Sequence, residues 1–228
     1  MTRIIHLETA TAVCSVATAE QGKPLVIQTL TEGFRHAENL MLLVEQVMHY
    51  SGWDFSSLDA IAVSAGPGSY TGLRIGVSAA KGLCYALEKP LIALSTLQTL
   101  ATGFMRTHTH FNGLLCPMID ARRMEVYTAL FAHDLERLTD DQPLIVDEKS
   151  LQSTLENQQV ALFGDGALKC KELLGTSENA VFNLETELSA EDMTVAAFKK
   201  FRNGQFADLA YFEPEYLKPY QGTIPKVS

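Results

Sequence analysis

The order of predicted strands and helices in the first half of the chain occurs again in the second half. The first predicted strand, Arg3–Glu8, ends in an acid before a short turn, and the predicted strand Leu114–Asp120 does the same about half the chain later. A glycine turn follows the fourth strand of each half, at Gly66–Gly68 and again at Gly164–Gly166. Such a repeat predicts one structural unit used twice, and hence a protein of two similar lobes.

Each unit reads as three strands, a helix, a strand, a helix, a strand and a helix. In the first half, alternating apolar residues and polar turns predict strands, and wider apolar periodicity predicts helices at about His36–Tyr50, Thr71–Leu87 and Thr96–Arg106. In the second half we predict strands and a last helix at Met124–Phe131, Pro143–Val146, Ala180–Leu184 and Ala190–Arg202.

We therefore predict an α/β fold of two lobes, each with a mixed sheet and flanking helices. The N-terminal lobe is expected at residues 1–106 and the C-terminal lobe at 107–205. A tail at 206–228 is expected to pack back on the lobes.

Charge restricts the partners of this chain. It has 18 Lys and Arg against 27 Asp and Glu, a net charge of −9 in 228 residues. Nucleic-acid binding depends on basic residues that neutralise phosphates, so unaided binding of RNA or DNA is not expected. The longest apolar runs fall short of the roughly 18 residues that a membrane span needs, and the N-terminus lacks the long apolar core of a signal peptide. We expect a soluble, cytoplasmic protein with no membrane partner.

The cysteines do not suggest a metal site or a disulfide framework. Their spacing includes no Cys-x-x-Cys pair, and three of them lie in apolar runs; the four are Cys14, Cys84, Cys116 and Cys170. Reduced core cysteines fit this pattern best. His36 and Glu38 could be metal ligands, but no second ligand follows three or four residues after His36. No metal site is predicted.

The densest motif, Ser64–Gly76, lies between a predicted strand and a helix, where backbone amides can bind an anion. It lacks the Gly-Lys pair of a Walker A loop, and Thr71 stands where the dinucleotide fingerprint needs glycine. We prefer a structural interpretation, in which Gly66–Gly68 forms a tight turn. Gly72 and Gly76 then let the following helix approach a neighbour closely.

The helices on either side of this motif have more apolar surface than one sheet covers. On the first, apolar residues occupy a wide arc and Leu42 projects from the polar face. On the second, a narrow stripe of Arg74, Ser78, Lys81 and Tyr85 interrupts small and apolar residues. A helix that is apolar on most sides is buried on most sides. Core packing explains most of these residues, and we expect part of the surface to meet another protein chain.

Glu8 and Asp120 are the candidate residues for chemistry. Each ends a strand at a hairpin, from which two lobes could direct carboxylates into a shared cleft for a magnesium nucleotide. Either could instead accept hydrogen bonds from turn amides, and the spacing leaves both interpretations open.

Residues 65–76, Ala-Gly-Pro-Gly-Ser-Tyr-Thr-Gly-Leu-Arg-Ile-Gly, resemble the signature segment of the TsaB (YeaZ) family. Similar segments follow in order along most of the chain, at Leu7–Thr11, His36–Glu38, Asp120–Tyr127, Gly164–Gly166 and Pro214–Lys218. The resemblance implies the duplicated actin/Hsp70/sugar-kinase fold, which is RNase H-like. It also implies a non-catalytic partner subunit of the complex that makes threonylcarbamoyladenosine in tRNA.

The resemblance implies a heterodimer with a TsaD-type catalytic subunit, a TsaE-type ATPase in a larger complex, and a possible homodimer of the chain alone. ATP or ADP and metal are expected on the partner subunits and none on the isolated chain, and tRNA is expected only through the complex. The implied interface is the pair of N-terminal helices, with Leu40, Met41, Val44, Val47, Met48, Arg74, Val77 and Lys81 as candidate residues.

The resemblance also implies a degenerate active site. TsaD carries a metal-binding His-x-x-x-His on the equivalent helix, whereas here Leu40 stands four residues after His36. The usual strand-end Asp is Glu8, and Ala10 replaces a frequent Ser. The remaining candidates for a degenerate nucleotide cleft are Glu8, Thr9, Thr11 and Asp120.

Two enzymes are the alternatives. One is a stand-alone ATP-dependent kinase-like enzyme that uses Glu8 and Asp120. The other is a peptidase, for which the sequence offers neither a nucleophile with a base nor a metal site in recognisable spacing.

Overall fold

A computed structural model describes residues 1–31 and 35–218 of the 228-residue chain. Its strands are β1 Arg3–Glu8, β2 Cys14–Glu20, β3 Lys23–Leu30, β4 Ala60–Gly66, β5 Leu91–Ser95, β6 Leu114–Asp120, β7 Glu125–Thr128, β8 Gln142–Ile145, β9 Val160–Phe163 and β10 Ala180–Asn183. Its helices are α1 His36–Ser51, α2 Tyr70–Leu87, α3 Thr96–Thr107, α4 Gln152–Leu155, α5 Ala167–Leu174 and α6 Thr194–Arg202. None of the helices in this described part has the length and apolar character needed to cross a membrane.

Within the described residues the strands form two five-stranded sheets with the same internal order. The first runs β3-β2-β1-β4-β5 and the second, read from the opposite edge, runs β8-β7-β6-β9-β10. In both, the first strand pairs antiparallel with the second and parallel with the fourth. The predicted duplication and the two mixed sheets are confirmed.

The central strands are buried on both faces, as parallel strands usually are. In β1, Ile5 and Leu7 pack on the side of α1 and α2, whereas Ile4 packs on the opposite side, with Met193 and Ala197. This alternation follows from the period of two in a strand.

The third helix of each half covers the sheet of the other half. Phe104 of α3 stacks on Phe163 of the second sheet, with ring centroids 4.5 Å apart. In return, Met193 and Ala197, from the segment that leads into and through α6, pack on the first sheet. The two lobes therefore exchange helices, so the packing does not follow the boundary at residue 107 that the sequence predicts.

The described part of the tail contacts both lobes. The amide of Ala207 donates to the carbonyl of Leu91 at 2.9 Å, on the outer edge of β5, and the amide of Glu215 donates to Ala65 at 2.7 Å. Lys218 then forms an ion pair with Glu125 at the start of β7. The end of the predicted tail, residues 219–228, lies outside the described residues.

Most boundaries match the sequence prediction, and the differences have local causes. The predicted strand 124–131 is regular only over Glu125–Thr128, and Phe131 rejoins β6 through an isolated bridge to Leu115. The repeat predicts a helix at the place of α5 but not its limits, because its eight residues are too few to show a clear apolar period.

Candidate functional site

The first hairpin candidate, Glu8, is part of the core. Its side chain is fully buried, its Oε1 accepts a hydrogen bond from the amide of Ala10 at 2.8 Å, and its Oε2 accepts one from the hydroxyl of Ser64. Burial raises the pKa of Glu8 to about 7 and outweighs these two hydrogen bonds, which favour the charged form. Glu8 therefore offers no free carboxylate to a magnesium nucleotide.

Thr9 is held by the helix that follows the glycine motif. Its hydroxyl donates to the carbonyl of Gly72 at 2.8 Å. A Cβ atom at Gly72 would lie 2.1 Å from the carbonyl oxygen of Thr9, and one at Gly76 would lie 2.2 Å from the Thr9 hydroxyl. The prediction that these glycines permit a close approach is confirmed, and the neighbour is the turn between β1 and β2.

Thr11 lies in the same turn and makes hydrogen bonds there through its carbonyl and hydroxyl oxygens. Its carbonyl oxygen lies 2.8 Å from Nε2 of the buried His36, and its hydroxyl accepts a hydrogen bond from the amide of Val13 at 3.3 Å. His36 thereby joins the start of α1 to the first hairpin.

Asp120 has a different environment from Glu8, although the two are equivalent in the repeat. Its carboxylate is half exposed, pairs with Lys169 and accepts a hydrogen bond from the amide of Arg122 at 2.8 Å. Its own amide donates to Asp165 at 2.9 Å. Within residues 1–31 and 35–218, no hydrogen bond joins Glu8 to Asp120. Glu8 is buried and hydrogen-bonded, and Asp120 is paired with Lys169, so each acid already has partners within the chain.

Five of the eight candidate interface residues are buried in the core, and their contact with a partner stays a prediction. The helices α1 and α2 use these apolar positions to cover the first sheet and each other; the five are Leu40, Val44, Val47, Met48 and Val77. A sheet face and a neighbouring helix together bury a wider arc of each helix than a sheet alone would, and the sequence pattern does not show this.

The other three candidates lie at or near the surface. Met41 and Arg74 are exposed. Lys81 is half-buried, and its ammonium donates to the carbonyls of Ala210 and Phe212 at 3.3 and 3.1 Å. Lys81 therefore anchors the tail.

The outer face of α1 and α2 presents apolar and small side chains away from the sheet. Leu42 is 53% exposed and Tyr85 is 82% exposed. Between Arg74 and Tyr85, the stripe along α2 continues with the exposed Ser78 and Gly82. We call this surface the outer helix face; it comprises Met41, Leu42, Arg74, Ser78, Gly82 and Tyr85.

The tail borders the outer helix face, a feature that the sequence motifs did not reveal. Tyr216 packs against Tyr70 at the start of α2, with ring centroids 4.7 Å apart, and the guanidinium of Arg74 lies 5.3 Å from the Tyr70 ring centroid. Because the contact joins residues far apart in the chain, no local spacing could predict it.

Among the described residues, no group of three or more His, Cys, Asp or Glu side chains is arranged to hold a metal ion. The four cysteines are free and buried. Burial raises the pKa of Cys14 to about 11 and that of Cys84 to about 12, so these thiols are unreactive at neutral pH.

The duplicated sheets, the exchanged helices and the strand-end hairpins define a two-lobed α/β protein of the actin/Hsp70/sugar-kinase class. The activator of 2-hydroxyisocaproyl-CoA dehydratase from Clostridium difficile shares this fold, with a TM-score of 0.52 at 10% identity over 90% of this chain and 97% of that one. A closer solved structure is YeaZ from Pseudomonas aeruginosa, with a TM-score of 0.79 at 26% identity, covering 95% of this chain and 100% of that chain.

The sequence comparisons agree. The family model described as TsaD, tRNA N6-adenosine threonylcarbamoyltransferase, matches residues 33–219. The tRNA threonylcarbamoyladenosine biosynthesis protein TsaB of Escherichia coli is 32% identical over 95% of this chain and 94% of its own length. The chain belongs to the TsaB (YeaZ) family.

Proposed function

We propose that this chain is a non-catalytic subunit in the biosynthesis of threonylcarbamoyladenosine in tRNA, and that it binds a TsaD-type catalytic subunit through the outer helix face. The carrying observation is the exposure of Met41, Leu42 and Tyr85 on helices that bury most of their other apolar residues. Exposed large apolar side chains beside small residues are typical of surfaces that await a protein partner.

The hairpin geometry supports a non-catalytic role over a stand-alone kinase. Glu8 is buried and bonded to Ser64 and Ala10, and Asp120 is paired with Lys169. In the proposed complex, ATP or ADP and metal are held by the TsaD-type and TsaE-type partners.

The net charge of −9 supports an indirect relation to tRNA. A chain with excess negative charge repels phosphates, so the proposed complex binds tRNA through its other subunits. The proposed location is the cytoplasm. In the absence of a partner, the outer helix face is the surface on which two copies of this chain would pair.

The test is light scattering after size-exclusion chromatography of this chain mixed with its organism's TsaD-type subunit. We expect a one-to-one species, and we expect Leu42→Asp or Tyr85→Asp to weaken it at least about tenfold, because each change places a charge in an apolar contact. The control is Leu168→Asp, which changes another exposed leucine, on α5.

Each result has a distinct meaning. A complex that survives both changes on the outer helix face would place the interface elsewhere. A mixture that never associates would contradict the proposed partner. Activity is measured in a threonylcarbamoylation assay with the remaining pathway components. We expect tRNA modification only when both chains are present.

A further inference from the structure

A cavity of about 480 Å³ opens at the carboxyl ends of β4 and β5. Ala65 and Ser95 line it from these strands, Thr99 lines it from α3, and Arg137 lines it from the second half of the chain. The crevice outside the carboxyl ends of parallel strands is where open α/β sheets bind ligands. The lining includes none of the residues predicted for the degenerate nucleotide cleft, although Asp192 lies close enough to Glu8 for its charge to raise the pKa of Glu8.

Charges of opposite sign lie along one wall of the cavity. Asp192, Ala196 and Lys200 are four residues apart on the segment that leads into and through α6, and all three line the cavity. Side chains on a helix lean toward its N-terminus, so Lys200 leans toward Asp192. Ala196, with only a methyl group, leaves room between the two charges.

Asp192 has an unused acceptor. Its side chain is 1% exposed, and its Oδ1 accepts a hydrogen bond from Nε of Arg106 at 2.7 Å. Among the described residues, its Oδ2 has no hydrogen-bond partner. A buried carboxylate oxygen without a donor is costly, and a ligand that donates a hydrogen bond would relieve this cost.

Lys200 has unused donors. Its ammonium donates to the carbonyl of Ala93 at 2.7 Å, and this is the hydrogen bond that it makes within the described chain. An ammonium group has three donors, so two remain for a ligand. Burial lowers the pKa of Lys200, and the nearby charge of Glu215 partly offsets this effect. An anionic ligand would add to the stabilisation of the charged form only from the side away from Glu215.

The other charged residues around the cavity leave Asp192 and Lys200 as its main recognition groups. Arg137 and Asp141 form an ion pair with each other, and both contact the hydroxyl of Ser95. Glu215 of the tail and Asp140 also line the cavity. These two acids disfavour a purely anionic ligand, and Lys200 disfavours a purely cationic one.

We propose that this cavity binds a small zwitterion whose ammonium group contacts Asp192 and whose carboxylate contacts Lys200. Free α-amino acids and dipeptides share this chemistry, and the volume admits either. The site does not rest on the proposed role in tRNA modification, and the tail residues Glu215 and Leu217 line it on either side of Tyr216.

The test is saturation-transfer NMR on the full chain. The probes are an equimolar mixture of the twenty standard amino acids, glycylglycine, propylammonium chloride and sodium propionate. We expect saturation transfer to at least one zwitterion and none to the singly charged probes. A signal from an amino acid or from glycylglycine tells which of the two sources the site accepts.

Variants locate the binding. We expect Asp192→Asn or Lys200→Met to weaken binding of the zwitterion at least about tenfold, since each removes a charged hydrogen-bond partner. The matched control for Lys200→Met is Lys199→Met, which changes the exposed neighbouring lysine.

Because Asp192 also pairs with Arg106, a variant that keeps every charge is needed. Ala196→Leu fills the cavity and should abolish binding, whereas Val195→Leu on the exposed side of α6 should not. Melting curves verify that each variant is folded. Absence of a signal from every zwitterion, equal binding of propylammonium or propionate, or binding that survives Ala196→Leu would each overturn the proposal.

Discussion

The hydroxyl of Ser64 donates a hydrogen bond to the carboxyl group of Glu8, and both side chains are fully buried. Ser64 lies on β4, which pairs in parallel with β1. The acid that ends the first strand is therefore hydrogen-bonded within its own sheet. Its protonation should affect the free energy of unfolding.

The contribution of Glu8 to the stability of the chain should fall as the pH rises from about 5 to 8, whereas the contribution of His6, whose pKa burial lowers to about 4, should rise up to about pH 6.5. Burial raises the pKa of Glu8 to about 7 in the folded state, so the folded protein favours the protonated form. The resulting stabilisation is complete below the unfolded-state pKa and is lost as the pH rises through 7, with a change of roughly 3 kcal/mol. Urea titrations at several pH values measure it.

Glu8→Gln should remove the contribution of Glu8 and leave that of His6, because an amide resembles the protonated carboxyl group. The matched control is Glu45→Gln on the exposed side of α1, which should leave the pH profile unchanged. A profile for Glu8→Gln that matches the unaltered chain would show that another group causes the dependence.

Leu40 and Leu42 lie two residues apart on α1, and their truncation to alanine should change the stability by very different amounts. Leu40 is buried against the first sheet, so Leu40→Ala should cost about 2–5 kcal/mol of unfolding free energy. Leu42→Ala should change the stability of the isolated chain by less than about 0.5 kcal/mol. Denaturant unfolding of both variants tests the division between core and outer helix face, and equal losses would contradict it.

Two glycines of α2 should also differ. A Cβ at Gly72 would lie 2.1 Å from the carbonyl oxygen of Thr9, whereas one at Gly82 would meet nothing within 4 Å. Gly72→Ala should therefore destabilise the chain by about 3 kcal/mol or more, and Gly82→Ala should stabilise it by up to about 1 kcal/mol. If Gly72→Ala melts at the temperature of the unaltered chain, the close approach of α2 to the hairpin is incorrect.

Lys81 should control the mobility of the tail. Its ammonium bonds to the carbonyls of Ala210 and Phe212. Lys81→Met should speed hydrogen exchange at the Glu215 amide, which bonds to Ala65, by about tenfold. Lys23→Met, at the start of β3, is the control. Unchanged protection of Glu215 in Lys81→Met would mean that other contacts hold the tail.

The regular elements were predictable because apolar periodicity follows directly from burial. The limits of β1 and the first residue of α1, His36, agree with the sequence prediction. The same periodicity does not say what covers an apolar arc. Leu40 and Val77 looked available to a partner, yet they pack in the core of the first lobe.

The two hairpin acids could not be distinguished by position in the repeat. Glu8 is buried because β4 offers the hydroxyl of Ser64, whereas Leu162 of β9 pairs with Cys116, four residues before Asp120. Asp120, without that donor, turns outward and pairs with Lys169. This difference depends on a contact across the sheet, which a strand-end motif does not contain.

The exchange of α3 and α6 determines how the chain can be divided. A cut in the loop at 108–113 would separate Phe104 from the second sheet, and Met193 from the first. Each fragment would expose one apolar sheet face until the other fragment bound to it. The halves are thus complementary fragments rather than autonomous folding units, and a half-length ancestor would have needed a second copy of itself to bury both faces of its sheet.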